Sequence, residues 1–207
     1  DYFIQKKENK ISFNTNLNVK NTKFQIDNIN YKKKDKSIMN LQINGELKNN
    51  KNLNINSFII NEENNNIKIR NLSLNDSYQL IKIDQANFNY IDTENKKNNY
   101  NIKKDEGQNY LIYGSSFNAN SLISNLLDSN DKKENNYLEN NIGMSLNLDE
   151  VYFDKIHSVK DLNGKINIIN NKVEEADILA SYNHSQNIKF TIRTNDKGEK
   201  ITTLFSS

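Results

Sequence analysis

Apolar residues fall on every second position in short runs along most of the chain, separated by polar residues that are mostly Asn, Lys and Ser. Residues 39–43 read Met-Asn-Leu-Gln-Ile, and residues 144–148 read Met-Ser-Leu-Asn-Leu. A period of two places alternate side chains on opposite faces of a strand, so each run predicts one apolar face and one polar face. The sequence therefore predicts a mainly β fold whose sheet is apolar on one side.

The alternating runs predict a series of strands joined by short polar turns. They span residues 11–19, 22–29, 38–48, 52–60, 66–74, 78–91, 99–104, 109–114, 142–149, 151–157, 161–170, 173–182, 187–195 and 199–205. The turns between them are rich in Asn and Lys, and Asn tolerates the positive φ that tight hairpins need. Short connections favour a long antiparallel meander, because parallel neighbours would need crossover helices that we do not expect here. We predict that the meander curls into an open groove or half-barrel.

One segment, residues 119–128, departs from the period of two and predicts a short helix. Its apolar residues are Leu122, Ile123, Leu126 and Leu127, which fall on one helical face. Asn118, Asn120 and Ser121 precede them as candidate N-caps.

The helical segment and the polar residues that follow it predict a division of the chain. We expect an N-terminal antiparallel sheet over residues 1–115, the helix and a polar loop over 116–141, and a C-terminal meander over 142–207 that continues the same sheet. The chain starts at Asp1 without Met and reads as a segment of a longer protein.

Composition and charge exclude several classes of partner. Only 35% of the 207 residues are hydrophobic, and the formal net charge is +2, from 28 Lys and Arg against 26 Asp and Glu. A near-neutral chain whose basic residues are almost all Lys does not favour a nucleic-acid partner. Without cysteine the chain has neither disulfides nor thiolate metal ligands.

Candidate catalytic residues are few. His157 and His184 are the only histidines, and Ser158 and Asp161 lie too close to His157 in sequence to converge on one substrate. The chain has no Gly-x-Ser-x-Gly turn to present a nucleophile. We therefore expect no enzyme activity, no catalytic or metal site and no cofactor.

Two stretches resemble a known family. Residues 113–127 read YGSSFNANSLISNLL and are similar to the strand-to-helix element G-x-S-F-D-A-S-x-L-L-x-x-L-L of AsmA-like bacterial proteins of the YhdP type. Residues 146–153 and 159–166 resemble the C-terminal repeat of the same family. Asn118 stands where the family often has Asp.

The resemblance implies a periplasmic protein, anchored in the inner membrane by a helix outside this segment and adjoining neighbouring repeats of the same chain. Its curled sheet would carry phospholipid between the inner and outer membranes, in envelope maintenance. The partners would be phospholipid acyl chains, with their headgroups in solvent, and no nucleic acid.

The alternating residues supply candidates for the groove lining. They are Phe13, Leu17, Val19, Leu41, Ile43, Ile67, Ile69, Leu146, Leu148, Ile166, Ile178, Phe190 and Ile192. The same residues could instead form the closed core of a β-sandwich. The alternative function is therefore a β-sandwich or β-solenoid module of a bacterial surface protein that presents its polar face to a partner.

Overall fold

The computed structural model describes residues 1–49, 51–107, 109–121, 138, 140–182 and 186–207. Its fold is mainly β, and most strands pair with their neighbours along the chain. This confirms the predicted fold class. The chain divides into two compact units, unit 1 at residues 1–98 and unit 2 at residues 99–207. The division predicted at 115 and 141 differs from these bounds and stays a prediction.

Eight complete strands lie in the part of unit 1 that the structure describes. They are β1 (Tyr2–Lys7), β2 (Lys10–Val19), β3 (Gln25–Ile26), β4 (Tyr31–Lys32), β5 (Met39–Lys48), β6 (Asn52–Glu62), β7 (Asn65–Leu74) and β8 (Leu80–Ile91). The sheet order is β1-β2-β5-β6-β7-β8, and each pair of neighbours in this order is antiparallel. Strands β3 and β4 form a separate small hairpin around a 3₁₀ turn at Asp27–Ile29. The strand predicted over residues 22–29 is therefore wrong for most of its length.

Unit 2 carries the remaining strands, except that β9 begins at the end of unit 1. They are β9 (Lys97–Lys104), β10 (Asn109–Asn118), β11 (Ile142–Tyr152), β12 (Ser158–Ile169), β13 (Lys172–Tyr182), β14 (Gln186–Thr194) and β15 (Lys200–Ser206). β10 and β11 are parallel, whereas the other pairs from β9 to β15 are antiparallel. The expectation of antiparallel pairing throughout is wrong at this pair. A parallel pair needs a connection of a dozen or more residues, and the chain between the strand ends Asn118 and Ile142 is long enough.

The predicted helix begins at this crossover. Asn120 and Ser121 are helical, and the Asn118 side-chain oxygen accepts a hydrogen bond from the Asn120 N–H at 3.1 Å. One of the predicted N-caps therefore bonds to the first turn. The rest of the predicted helix, residues 122–128, lies outside the described residues.

Asparagines occupy several turn positions that need a left-handed backbone. Asn49 follows β5 with φ 52°, and Asn170 and Asn171 join β12 to β13 with φ values of 51° and 59°. Asn is among the few residues that adopt this region at low cost. The tight polar turns expected at these positions are confirmed.

Irregularities within the strands change which positions face the apolar side. In β6 the partner of Asn44 is Ser57 and the partner of Gly45 is Ile55, so Asn56 is an extra residue in the ladder. A bulge of this kind shifts the alternation by one residue. Ile55 and Phe58 consequently share the apolar face although their spacing is odd.

Candidate functional site

In unit 1 the strand register aligns apolar side chains into rows that cross neighbouring strands. Residues directly opposite each other on paired strands project from the same face of a sheet. One row contains Leu17, Leu41, Ile60, Ile67 and Phe88, one residue from each of five strands. Further rows follow along the strands: Ile43, Phe58, Ile69 and Ala86; Phe13, Gly45, Ile55, Leu72 and Ile83; and Ile11, Leu47, Leu53, Leu74 and Leu80. Together these rows form one apolar face.

The other face of the same strands is polar. One of its rows consists of five asparagines from β2, β5, β6, β7 and β8, namely Asn18, Asn40, Asn61, Asn66 and Asn89. The Asn66 amide donates a hydrogen bond to the Asn61 side-chain oxygen. The abundant asparagines therefore mark the hydrated side of this sheet.

Unit 2 has apolar rows of the same kind. One row crosses seven strands through Ile102, Ile112, Leu146, Gly164, Ile178, Phe190 and Leu204. A neighbouring row contains Tyr110, Met144, Ile166, Ala176 and Ile192. Gly164 and Ala176 reduce the height of the surface in the middle of these rows.

The structure places the predicted lining residues on one face within each unit. Phe13, Leu17, Val19, Leu41, Ile43, Ile67 and Ile69 share the apolar face of unit 1, and Leu146, Leu148, Ile166, Ile178, Phe190 and Ile192 share that of unit 2. Leu41, Ile67 and Leu148 are buried, Leu17 is exposed, and the others are partly exposed. Their contact with lipid stays a prediction.

The segment between β2 and β5 covers one margin of the apolar face of unit 1. We call residues 20–38 the strap. The ring of Tyr31 stacks edge-on against Tyr90 at 5.9 Å, and its hydroxyl lies 3.7 Å from the sulfur of Met39. The Tyr90 hydroxyl donates to the Ile29 carbonyl at 2.7 Å. Met39 and Ile60 beneath the strap have no exposed surface, so this margin is closed over β5 and β6 without any ligand.

A buried carboxylate fixes the strap to the sheet. Glu62, at the end of β6, accepts hydrogen bonds from the Tyr31 hydroxyl at 2.7 Å and from the Lys34 N–H at 2.7 Å. It also accepts hydrogen bonds from the Ser37 hydroxyl and, at 3.2 Å, from the Asn65 amide. Three of these four donors, on Tyr31, Lys34 and Ser37, belong to the strap. Glu62 is therefore the main polar anchor of the strap.

The hydrogen bonds set the charge state of the Glu62 anchor. Burial acts to raise the pKa of Glu62, but donation from Ser37, Tyr31, Lys34 and Asn65 outweighs burial and holds that pKa below 4.5. Burial first, and then the bond to Glu62, raises the pKa of the Tyr31 hydroxyl far above its ordinary value. At neutral pH the pair is therefore a carboxylate and a neutral phenol.

The opposite margin of the unit 1 face is open. Its row contains Ile11, Leu47, Leu53, Leu74 and Leu80, and each of these side chains is only partly buried. No polar side chain interrupts the row. This open margin retains apolar surface that an additional molecule could bury.

Glycines allow close approach at the apolar face of both units. A side chain at Gly164 would meet the Asp177 carbonyl oxygen at 2.5 Å and the Ile178 Cα at 2.9 Å. A side chain at Gly45 would fall on the Asn54 carbonyl oxygen and lie 2.8 Å from the ring of Phe13. Both positions therefore exclude a Cβ, because backbone or packed side-chain atoms occupy its place.

Sequence reasoning missed part of the apolar face. Ile55, Phe58 and Ile60 lie on it, but their spacing in β6 is irregular because Asn56 is bulged. The sequence does carry a signal for them: the apolar residues change from an odd position, Ile55, to even positions, Phe58 and Ile60, on the two sides of Asn56. A second such change occurs in β7 at Asn71, whose φ is 51°.

The histidine considered for catalysis lies in a surface turn. His157 Nδ1 lies 2.6 Å from Oδ2 of Asp154, and the other carboxylate oxygen, Oδ1, accepts hydrogen bonds from the backbone N–H groups of Ile156 and His157. The neighbouring Ser158 hydroxyl instead donates to Glu150 at 2.9 Å. His157 and Ser158 thus belong to two separate hydrogen-bond groups. Across the described ranges, no group of three potential metal ligands is found.

The comparisons with known proteins give no match: no protein family, curated protein or solved structure aligns with this chain. Among the residues that the structure describes, no helix has the length and apolar character required to cross a bilayer.

Proposed function

We propose that this chain is a non-enzymatic segment of an AsmA-like bridge protein that offers an apolar surface to phospholipid acyl chains moving between two membranes. The observation that carries the proposal is the continuity of the apolar rows. In unit 2 one row crosses seven strands in register, from Ile102 to Leu204. A continuous apolar path suits an acyl chain that moves along it without polar recognition.

The exposure of these side chains supports an occupant from outside the chain. Leu146, Ile178 and Phe190 are each only partly buried, and Leu204 is 68% exposed. Burying apolar surface contributes roughly 25 cal/mol per Å², so an acyl chain covering several of these side chains would be held firmly enough to be retained. A closed sandwich core would instead leave this row dry and fully buried.

Periplasmic location, an inner-membrane anchor outside this segment and neighbouring repeats of the same chain belong to the same proposal. They rest on the residues that resemble the AsmA-like family, at 113–127, 146–153 and 159–166. The alternative function, a surface interaction module, would use the polar face and leave the apolar rows covered.

The test is a lipid-transfer assay with the purified chain. Donor vesicles carry a fluorescent phospholipid and a quencher, and acceptor vesicles carry neither. We expect the chain to accelerate transfer and to co-purify with phospholipid that mass spectrometry identifies. Replacing Phe190 by Asp should reduce both signals, because it places a charge in the middle of the row. Replacing Lys189 by Asp on the opposite face is the matched control. Absence of both transfer and bound lipid contradicts the proposal.

A further inference from the structure

We infer that the open margin of unit 1 is a subsite for an anionic phospholipid, with a lysine-lined headgroup end and a leucine-lined acyl end. The inference rests on the proposed function and deepens it, because it names the lipid class and one place where lipid binds. It concerns the row from Ile11 to Leu80, which lies at the opposite end of the strands from the strap.

The strap decides which margin is available. Met39, Ile60 and Ile67 have no exposed surface, and the Glu62 cluster holds Tyr31 over their end of the sheet. At the other end, Leu47 and Leu53 stay partly exposed. An acyl chain therefore gains burial at the open margin, where every side chain of the row remains in contact with water.

Lysines gather where the open margin meets the turns. Lys6, Lys7 and Lys10 flank the β1–β2 turn at the strand ends, Lys48 ends β5, and Lys51 lies in the β5–β6 turn. The two turns adjoin, because the Asn49 N–H donates to the Asn9 carbonyl at 2.7 Å. Acidic residues at the same end are Glu8, Glu46 and, in the β7–β8 turn, Asp76; Glu46 already binds Lys10 and Lys48 on the polar face. The end of the row is therefore cationic.

Lys6 is the lysine best placed for a headgroup. Its register partner is Ile11, so it projects from the apolar face beside the leucine row. Lys6 and Ile11 line one hollow of about 280 Å³ together with Glu8, Asn9 and Asn49. Within the described part of the chain, Lys6 has no ion-pair partner. A phosphate in this hollow would bind the ammonium group while the acyl chain extends over Leu47 and Leu53.

The experiment places a photo-crosslinking amino acid at position 53 of the full chain and exposes it to vesicles. One set contains phosphatidylglycerol in phosphatidylcholine, and the other contains phosphatidylcholine alone. We expect position 53 to label phosphatidylglycerol in preference to phosphatidylcholine. Lys6→Gln should lower phosphatidylglycerol labelling about fivefold, as expected for one lysine next to an anionic surface. The matched control is Lys68→Gln, an exposed lysine on the polar face of β7, and it should leave labelling unchanged.

A probe at position 146 in unit 2 separates failure of the subsite from failure of the proposed function. Labelling at 146 without labelling at 53 overturns the subsite and leaves the lipid path standing. Equal labelling of both lipids at 53, unchanged by Lys6→Gln, also overturns the headgroup preference. Competition by inorganic phosphate at millimolar concentration would show a general anion site and overturn the lipid assignment. No labelling at either position contradicts the subsite and the proposed function together.

Discussion

The Glu62 anchor predicts that replacing two adjacent glutamates, Glu62 and Glu63, lowers the free energy of unfolding by very different amounts. Replacing Glu62 by Ala removes the only acceptor that the described residues offer to the Lys34 N–H and to the Asn65 amide. The hydroxyls of Tyr31 and Ser37 keep other contacts, with Met39 and with the Lys34 carbonyl. A buried donor left without an acceptor lowers the free energy of unfolding by about 1–3 kcal/mol. Alanine does not carry the desolvation cost of the buried carboxylate, and this offsets part of the lowering. We therefore expect the free energy of unfolding to fall by about 2–4 kcal/mol.

The control for this change is Glu63→Ala. Glu63 pairs with Lys34 at 2.9 Å, but both side chains are more than half exposed. A solvent-exposed ion pair contributes about 0–1 kcal/mol, so this variant should stay within about 0.5 kcal/mol of the parent chain.

Urea denaturation followed by circular dichroism measures both variants, and hydrogen–deuterium exchange reports on the strap itself. Glu62→Ala should raise amide exchange in residues 20–38 while the strands of unit 2 keep their protection. If Glu62→Ala matches Glu63→Ala in stability, and exchange in residues 20–38 is unchanged, Glu62 does not anchor the strap.

The same anchor predicts the effect of acid. The pKa of Glu62 in the folded chain lies below the ordinary value of 4.5. Its contribution to stability is therefore complete above pH 4.5 and is lost as the pH falls through the lower folded-state pKa. The stability difference between the parent chain and Glu62→Ala should thus shrink on acidification, whereas a constant difference from pH 7 down to pH 2 would contradict a charged anchor.

Three further predictions follow from burial, close approach and charge. Ile60→Ala, beneath the strap, should cost about 2–5 kcal/mol of unfolding free energy, and Leu74→Ala, at the open margin, about 1 kcal/mol; equal losses would contradict the closed and open margins. Gly164→Ala should destabilise by about 1–3 kcal/mol, because the new methyl group meets backbone atoms. Gly143→Ala should lower the free energy of unfolding by less, because the atom nearest to the new methyl group belongs to the movable Asn109 side chain. A thermal melt in which Gly143→Ala is less stable than Gly164→Ala would contradict this explanation. The pKa of Asp154 is lowered to about 2 by hydrogen bonds from the backbone and side chain of His157 and from the backbone of Ile156. The turn that holds Asp154 should therefore persist below pH 3.8 and loosen near pH 2. An NMR titration of Asp154 with a midpoint near 4 would contradict these bonds.

The faces of the sheet could be predicted from the sequence because a period of two maps directly onto the pleat. All thirteen predicted lining residues accordingly share one face within their unit. The bulge at Asn56 could not be located in advance, since it depends on which residues of β5 pair with β6. The same holds for the parallel pairing of β10 with β11. These features depend on contacts between strands, which local alternation does not specify.

The alternation of apolar and polar residues also does not predict how the strap is held to the sheet. Tyr31 and Glu62 lie 31 positions apart, and each looks like an ordinary polar position of a turn or strand end. Their hydrogen bond forms only because the β2–β5 connection folds back over the apolar face. A buried carboxylate with four donors leaves no periodic signal in the sequence.

The central claim is that the apolar face contacts lipid, and paired photo-crosslinking at positions 146 and 147 tests it most directly. Leu146 belongs to the apolar row of unit 2, and the adjacent Asn147 is exposed on the other face. We expect that a probe at 146 labels phospholipid acyl chains in vesicles and that the same probe at 147 does not. Equal labelling at both positions, or labelling at 147 alone, would contradict a lipid path along the apolar face.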